Sequence, residues 1–329
     1  MSRFHAEIAE QPEVAARLLE HADEARAIGA RIRGSETRGF VIAARGSSDN
    51  AALYAKYLFG VRNRSLVALA APSLFTTYST PPRLAGQCVI GISQSGESPD
   101  VIAVVEEGRR QGCVTLAITN NPESRLAHAA ELVFAMQAGQ ELSVPASKTY
   151  TASVLALALI SQAIDPDPAF ETALASVPHA VARALKREDE LGAFLPKLKG
   201  PRAVVLGRGF NFCTAEEIAL KLSETSYVLA RAWSLADFEH GPIAIVDASL
   251  PVLLIDGGGL VESDLESTRV RLEQKGCDVI RLADDSGLPE ELTPIPLAVM
   301  GQLLAHQLAV ARGMDPDRPR AIQKITRTW

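Results

Sequence analysis

Residues 88–100 read Cys88-Val89-Ile90-Gly91-Ile92-Ser93-Gln94-Ser95-Gly96-Glu97-Ser98-Pro99-Asp100. The first five form an apolar run of strand length, and Pro99-Asp100 opens a helix whose buried side is Val101, Ile102, Val104 and Val105. Hydroxyls, an amide, a glycine and free backbone N–H groups therefore meet at a helix N-terminus. That combination suits a phosphate dianion. The loop carries no Lys or Arg, so it would hold a small phosphorylated metabolite through dipoles and hydroxyls rather than gather a polyanion. A Ser-Gly turn is also an ordinary connector; what favours a site is its place between a strand and a helix, where open parallel sheets bind ligands.

The pattern around this loop occurs twice. The strand runs 40–44 and 203–206 end in the turns Arg45-Gly46-Ser47-Ser48 and Gly207-Arg208-Gly209, each followed by an amphipathic helix, 50–59 and 213–227. Second strands follow at 89–92 and 252–255. Helices then close on matching phrases, Arg110-Gln111-Gly112-Cys113 and Gln274-Lys275-Gly276-Cys277, which lead into strands 114–118 and 279–282. Strand–helix–strand–helix–strand, repeated, predicts an α/β chain of two doubly wound parallel-sheet domains in tandem. The expected boundaries are 1–165 for an N-terminal helix plus the first domain, 166–200 for a bridging segment with one charged helix over 177–195, 201–312 for the second domain, and 313–329 for a tail able to close as a lid. The halves differ chemically. Where the first has the serine loop, the second has Asp256-Gly257-Gly258-Gly259, and the carboxylate would repel a phosphate. One phosphate site per chain is expected.

With 329 residues, 47% hydrophobic and 22% charged, the chain has the composition of a globular protein large enough for two domains. A net charge of −6 argues against nucleic acid or an anionic membrane as partner. The first twenty residues contain acidic side chains and no apolar stretch, unlike a signal peptide. The apolar helix over 150–164 is too short to span a bilayer. Cys88, Cys113, Cys213 and Cys277 form no CxxC pair, and they and the six scattered histidines show no zinc spacing. Buried free thiols and a reducing cytoplasm are expected.

Three further features can carry chemistry. Glu217, Lys221 and Glu224 stand at i, i+4 and i+7 of one helix and share a face. They form either a solvated salt-bridged stripe or a cleft in which Glu224 acts as a general base. His240, in Phe238-Glu239-His240-Gly241-Pro242, precedes an apolar run at 243–246 read as a strand; it is either a surface residue or a proton shuttle. Lys324, in the tail, could form a Schiff base with a sugar carbonyl if desolvation lowers its pKa.

Together these phrases resemble the paired sugar-isomerase (SIS) domains of the isomerase half of glutamine–fructose-6-phosphate aminotransferases and of stand-alone SIS-type glucosamine-6-phosphate deaminases. The resemblance runs nearly end to end, from Glu7-Ile8-Ala9-Glu10-Gln11-Pro12 to Pro319-Arg320-Ala321-Ile322-Gln323-Lys324. Its most specific phrases are 92–97, 220–227 and 239–242. It implies SIS domains of flavodoxin-like, three-layer αβα build. It implies that Ser93, Gln94, Ser95 and Ser98, helped by Ser48, hold a sugar phosphate, and that Val144 and Ala146 line the sugar through backbone groups. The family usually has Thr at the position of Ser98, and Ser at that of Ala146. Glu224 would move the proton between C1 and C2, placed by Lys221. His240 would assist ring opening from a neighbouring subunit, making a homodimer the expected assembly. Lys324 would meet the open-chain carbonyl. Neither a metal nor an organic cofactor is implied.

The SIS-type sequence begins within ten residues of the start, with Ser at position 2 where the aminotransferases carry a glutaminase cysteine. The expected reaction is therefore glucosamine 6-phosphate to fructose 6-phosphate plus ammonia. The alternatives are another ketose or aldose phosphate isomerase, a fructosyl-amine-phosphate deglycase, or a sugar-phosphate sensor.

Overall fold

The computed structural model describes residues 2–324. From the N-terminus come α1 (Arg3–Ala9), α2 (Gln11–Glu20) and α3 (Ala22–Arg33). Then follow β1 (Gly39–Ala43), α4 (Ser47–Arg62), β2 (Leu66–Leu69), β3 (Gln87–Ser93), α5 (Pro99–Arg110), β4 (Val114–Thr119), α6 (Arg125–Ala129) and β5 (Leu132–Ala135). Next are α7 (Lys148–Ile164), α8 (Pro168–Ala175), α9 (Val177–Leu185) and α10 (Glu188–Gly192). The second sheet brings β6 (Arg202–Gly207), α11 (Phe212–Ser226), β7 (Leu229–Ser234), α12 (Leu235–Glu239), β8 (Val252–Asp256), α13 (Glu262–Gln274), β9 (Val279–Ala283) and finally α14 (Pro294–Ala311).

Two compact units result. The first comprises Glu13–Glu141, Lys148–Ala175 and the chain end from Gln323; the second comprises the N-terminal stretch through Pro12, Leu142–Ser147 and Ser176–Ile322. The closing stretch 325–329, expected to order with the lid, lies outside the described residues.

The first unit is built on a five-stranded parallel sheet of order β2-β1-β3-β4-β5. Its central strands are covered on both faces, so β1 and β4 are buried along their whole length. Val41, Val89 and Ala117 pack with Val101 and Val105 of α5 and Leu126 of α6. Phe40, one residue away in β1, meets Phe59 of α4, because successive strand side chains point to opposite faces. All of α7 is buried, against α3 and α4.

The second unit is built on a four-stranded parallel sheet of order β7-β6-β8-β9. Its longest helix, α14, is the one helix among the described residues long and apolar enough to cross a membrane, and it is mostly buried inside the structure. It packs on α1, α9, α10 and α11.

Two local expectations are corrected. The single charged helix over 177–195 is broken into α9, α10 and a 3₁₀ turn at Leu195–Leu198. The chain turns at Lys186 and Arg187, where Arg187 Nη1 reaches the carbonyl of Ala283 at 2.7 Å and Nε reaches Glu190 at 3.0 Å. The strand read over 243–246 is a 3₁₀ turn, Pro242–Ile245, entered through Gly241 at φ +142°. Ile245 is half exposed there, so no sheet face demands extended backbone.

One buried carboxylate organises the second unit's extended segment 142–147. Glu7 of α1 accepts hydrogen bonds from the N–H groups of Leu142 and Ser143 and from Ser143 Oγ. Burial alternates along the segment: Ser143, Pro145 and Ser147 point inward, while Leu142, Val144 and Ala146 are open or half open. Gln302 Nε2 donates to Ser147 O at 3.2 Å, and Val144 N donates to Asp317 O at 3.1 Å. Glu7→Ala leaves these buried donors without an acceptor. It should lower stability by about 2–3 kcal/mol, read as a drop in the urea midpoint, whereas an unchanged midpoint would show that water replaces the carboxylate.

Candidate functional site

In the first unit, β3 ends at Ser93 and α5 begins after Ser98, its N-cap. The intervening loop is drawn into a cup. Gly96 N donates to Ser93 Oγ at 3.2 Å, Glu97 N donates to Ser95 Oγ at 3.2 Å, and the hydroxyls of Ser93 and Ser98 lie 3.2 Å apart. Gly96 has φ +67°, and a Cβ there would fall 2.0 Å from Ser124 Oγ. Only glycine allows this close approach. Ser48 stands in the first turn of α4, after the neighbouring strand β1, where Gly46 (φ 56°) caps the helix. Because β1 and β3 are adjacent in the sheet, the two helix starts lie at the same sheet edge.

Sequence reasoning found no cation in the serine loop, but the fold supplies one. Arg45, at the end of β1, donates from Nε to Asp100 Oδ2 at 2.6 Å. Asp100 is only 1% exposed while the Arg45 side chain is 49% exposed, so the guanidinium is anchored at one end and open at the other. The pair joins residues 55 apart in sequence, and only the β1–β3 adjacency could have revealed it.

Lys324 belongs to this unit and sits on a buried carboxylate. Its Nζ lies 2.5 Å from Glu141 Oε2, which also accepts from Thr149 Oγ1 at 2.7 Å. Glu141 was absent from the expected set; no motif marks it.

In the second unit, Lys221 of α11 is 1% exposed and lies between two carboxylates. Its Nζ is 2.6 Å from Glu224 Oε2 and 3.5 Å from Glu217 Oε1. Glu217 is fully buried, whereas the Glu224 side chain is 22% exposed. The three are thus no solvated stripe: α14 packs on α11, and only Glu224 keeps contact with solvent. Three residues on, Tyr227 ends α11 in the left-handed conformation. Its hydroxyl accepts from Arg320 N at 3.1 Å and its ring stacks under the Arg320 guanidinium at 4.1 Å, pinning the tail to the end of α11. Val144 and Ala146 lie on the extended segment described above; the N–H of Val144 is already used, which leaves its carbonyl. His240 caps α12 and is exposed, and its imidazole makes no hydrogen bond among the described residues. The structure therefore joins Lys221 to Glu224 and keeps Ser93, Gln94, Ser95 and Ser98 on one loop, while His240 makes no hydrogen bond to Lys221 or Glu224 among the described residues.

The second unit's equivalent of the serine loop is chemically closed. Asp256 accepts from Gly258 N at 2.8 Å and pairs with Arg281 Nε at 2.7 Å, while Glu290 accepts from Leu260 N at 3.0 Å. Burial raises the Glu290 pKa. Carboxylates of the chain itself occupy these donors.

The SIS domain profile matches residues 35–163 and 198–289, which cover both sheets. This chain belongs to the SIS domain family. Among curated SIS relatives, the Thermococcus kodakarensis glutamine–fructose-6-phosphate aminotransferase (isomerizing) is 33% identical over 308 residues, 86% of this chain and 51% of that protein. The chain spans about half the length of the curated relatives it matches. A solved structure from Silicibacter pomeroyi DSS-3, provisionally named a phosphosugar isomerase, superposes with TM-score 0.90 at 30% identity over 96% of this chain and 100% of that one. The C-terminal domain of the Francisella tularensis glucosamine–fructose-6-phosphate aminotransferase does so with TM-score 0.88 at 25% identity, over 97% of this chain and 98% of that one.

Both helix starts of the first unit can be tested by phosphate-ester binding. Gly96→Ala should weaken titrated binding of a hexose 6-phosphate at least about tenfold, because the cup must open. Arg45→Ala should weaken it by a similar factor and Arg45→Lys by less, because the charge is kept. Unchanged affinity in Gly96→Ala would place the phosphate elsewhere.

Proposed function

We propose that this protein is a phosphosugar aldose–ketose isomerase acting on an amino sugar, converting glucosamine 6-phosphate to fructose 6-phosphate and ammonia. The observation that carries the reading is the wholly buried Lys221 ammonium holding the partly exposed Glu224 carboxylate at 2.6 Å. A carboxylate so fixed, with one face open, is suited to take a proton from one carbon and return it to the next. The serine cup, its helix start and the Arg45 guanidinium support a phosphate as the substrate's handle. The likeness to isomerizing aminotransferases supports a 2-amino or 2-keto hexose as the rest of it.

In this reading Ser48, Ser93, Gln94, Ser95 and Ser98 bind the phosphate, and Val144 and Ala146 line the sugar. Ring opening moves a proton from the anomeric hydroxyl to the ring oxygen, the role assigned to His240. Glu224 then removes the C2 proton of the open-chain amino-aldose. The electrons form the C1–C2 double bond, and the C1 oxygen develops negative charge, which the Lys324 ammonium neutralises. Protonation of the resulting enolamine at C1 by Glu224 gives an imine at C2, which water hydrolyses to the ketone and ammonia. Ring opening breaks the C1–O5 bond, imine hydrolysis adds water at C2 and expels ammonia as the C2–N bond breaks, and the remaining steps are proton transfers, each reversible. With its amine tied to Glu141, Lys324 is better suited to this electrostatic role than to forming a Schiff base.

An exposed His240 without hydrogen-bond partners among the described residues supports its donation to a neighbouring copy's site in a homodimer. Mixing and re-annealing Glu224→Gln with His240→Asn, each inactive alone, should then restore up to about a quarter of wild-type activity, since half the dimers are mixed and each regains one intact site. No recovery would place His240 in its own chain's site or outside any site.

The direct test is ammonia release from glucosamine 6-phosphate, beside galactosamine 6-phosphate and a fructosyl-amine 6-phosphate. Glu224→Gln should cut kcat at least about a thousandfold with little change in affinity. Release from another of the three substrates would change the sugar and keep the mechanism. Phosphosugar binding without release from any of them would favour an isomerase without amine chemistry, or a sensor.

A further inference from the structure

Three side chains from distant parts of the sequence meet in the second unit, none of them among the site residues named above. They are His5 of α1, Glu188 at the start of α10 and His306 of α14. His5 Nε2 lies 2.8 Å from Glu188 Oε1. The two imidazole rings face each other with centroids 4.8 Å apart at an interplanar angle of 47°. One ligand-capable atom from each of the three residues lies within 4.8 Å of the other two. All three side chains are half-buried, open enough for an ion to enter and covered enough to hold one.

Hydrogen bonding leaves this cluster incomplete. A neutral imidazole carries one N–H donor and one lone-pair acceptor. His5 uses Nε2 on Glu188, and its Nδ1 is buried with no hydrogen-bond partner. His306 Nδ1 is likewise buried with no partner. Buried polar atoms are nearly always paired, so the unpaired His306 Nδ1 beside the His5–Glu188 pair points to a missing group.

The donor chemistry narrows what that group is. Two imidazoles and one carboxylate form a borderline nitrogen-rich set, suited to zinc and its neighbours in the first transition row. Calcium and magnesium prefer oxygen alone. At metal–ligand distances near 2.0–2.1 Å, two ligands of a tetrahedral ion stand about 3.3 Å apart. The His5–Glu188 pair is already near that spacing, and the remaining separations are within reach of side-chain rotation. A fourth position would be left to water.

We propose that His5, Glu188 and His306 bind one divalent transition-metal ion, best matched by zinc, which clamps α1 to α10 and α14. The clamp has a structural consequence. Glu7 follows His5 by two residues on α1 and holds the backbone of Leu142 and Ser143. An ion on His5 therefore steadies the segment carrying Val144 and Ala146 without entering any chemical step.

The test uses the full chain, freed of any affinity tag and stripped with a chelator. Titration with Zn²⁺ should show one ion per chain and a rise in melting temperature that the chelator reverses. Titration with Co²⁺ should give the visible absorption bands of a low-symmetry nitrogen–oxygen site. Glu188→Gln and His306→Asn should each weaken Zn²⁺ at least about tenfold and abolish the Co²⁺ bands. Should His306→Asn fail to fold, His5→Asn, at the more open α1, provides the same readout. Substoichiometric binding, or binding unchanged in Glu188→Gln and His5→Asn, would overturn the proposal.

Discussion

The buried ammonium of Lys221 is the constraint on which the second unit turns. Withdrawing a lysine from water is tolerable only with opposite charge and hydrogen bonds at hand. Glu217 and Glu224, one turn to either side on α11, supply both. These contacts are internal to α11, so they hold whichever way the helix faces and compensate the buried charge locally. What sets the helix against its neighbour is packing: Ile218 of α11 lies so close to α14 that Gly301 is required, because a Cβ there would fall 2.2 Å from the isoleucine side chain. That packing leaves Glu224, nearest the C-terminal end, as the member with solvent access. The long-range packing of α11 on α14 thus decides which carboxylate of the cluster is open.

The two sheets follow one plan, and the chemistry diverges at one structural position. After β3 the turn offers backbone N–H groups and hydroxyls whose partners are short-range and neutral. After β8 the turn is similar in backbone, with glycines at positive φ, but Asp256 and Glu290 have already taken its donors. An incoming dianion would have to displace carboxylates that are themselves held, Asp256 by Arg281. The same fold therefore carries two loops of different chemistry, and the loop side chains decide which has donors not already taken by carboxylates of the chain.

Legibility in the sequence tracked burial. The strands buried on both faces, β1, β3, β4, β6 and β8, read as continuous apolar runs because both faces meet helices. The strands β2, β5 and β7 escaped notice. They lie at sheet edges: β2 alternates between exposed and part-buried positions, β5 and β7 each bury a single residue, and Leu66 and Leu229 face solvent. The serine loop and the spacing of Glu217, Lys221 and Glu224 were visible, but i, i+4, i+7 is the same in a surface stripe and a buried triad. The difference is the cover provided by α14, a long-range fact. Arg45 with Asp100, Lys324 with Glu141, and His5 with Glu188 and His306 are joined only by topology, and no local pattern announces them.

Glu141 shows why such pairings matter for chemistry. An amine that attacks a carbonyl must lose a proton and present its lone pair. The Lys324 amine instead donates to Glu141, a carboxylate whose side chain is 0% exposed. The pairing holds the amine at a fixed point. A fixed cation lowers the energy of an oxyanion as it forms and leaves no covalent bond to be undone afterwards. Lys221 and Lys324 share one arrangement. Each is a lysine paired with a buried glutamate of its own unit, Glu217 for the first and Glu141 for the second.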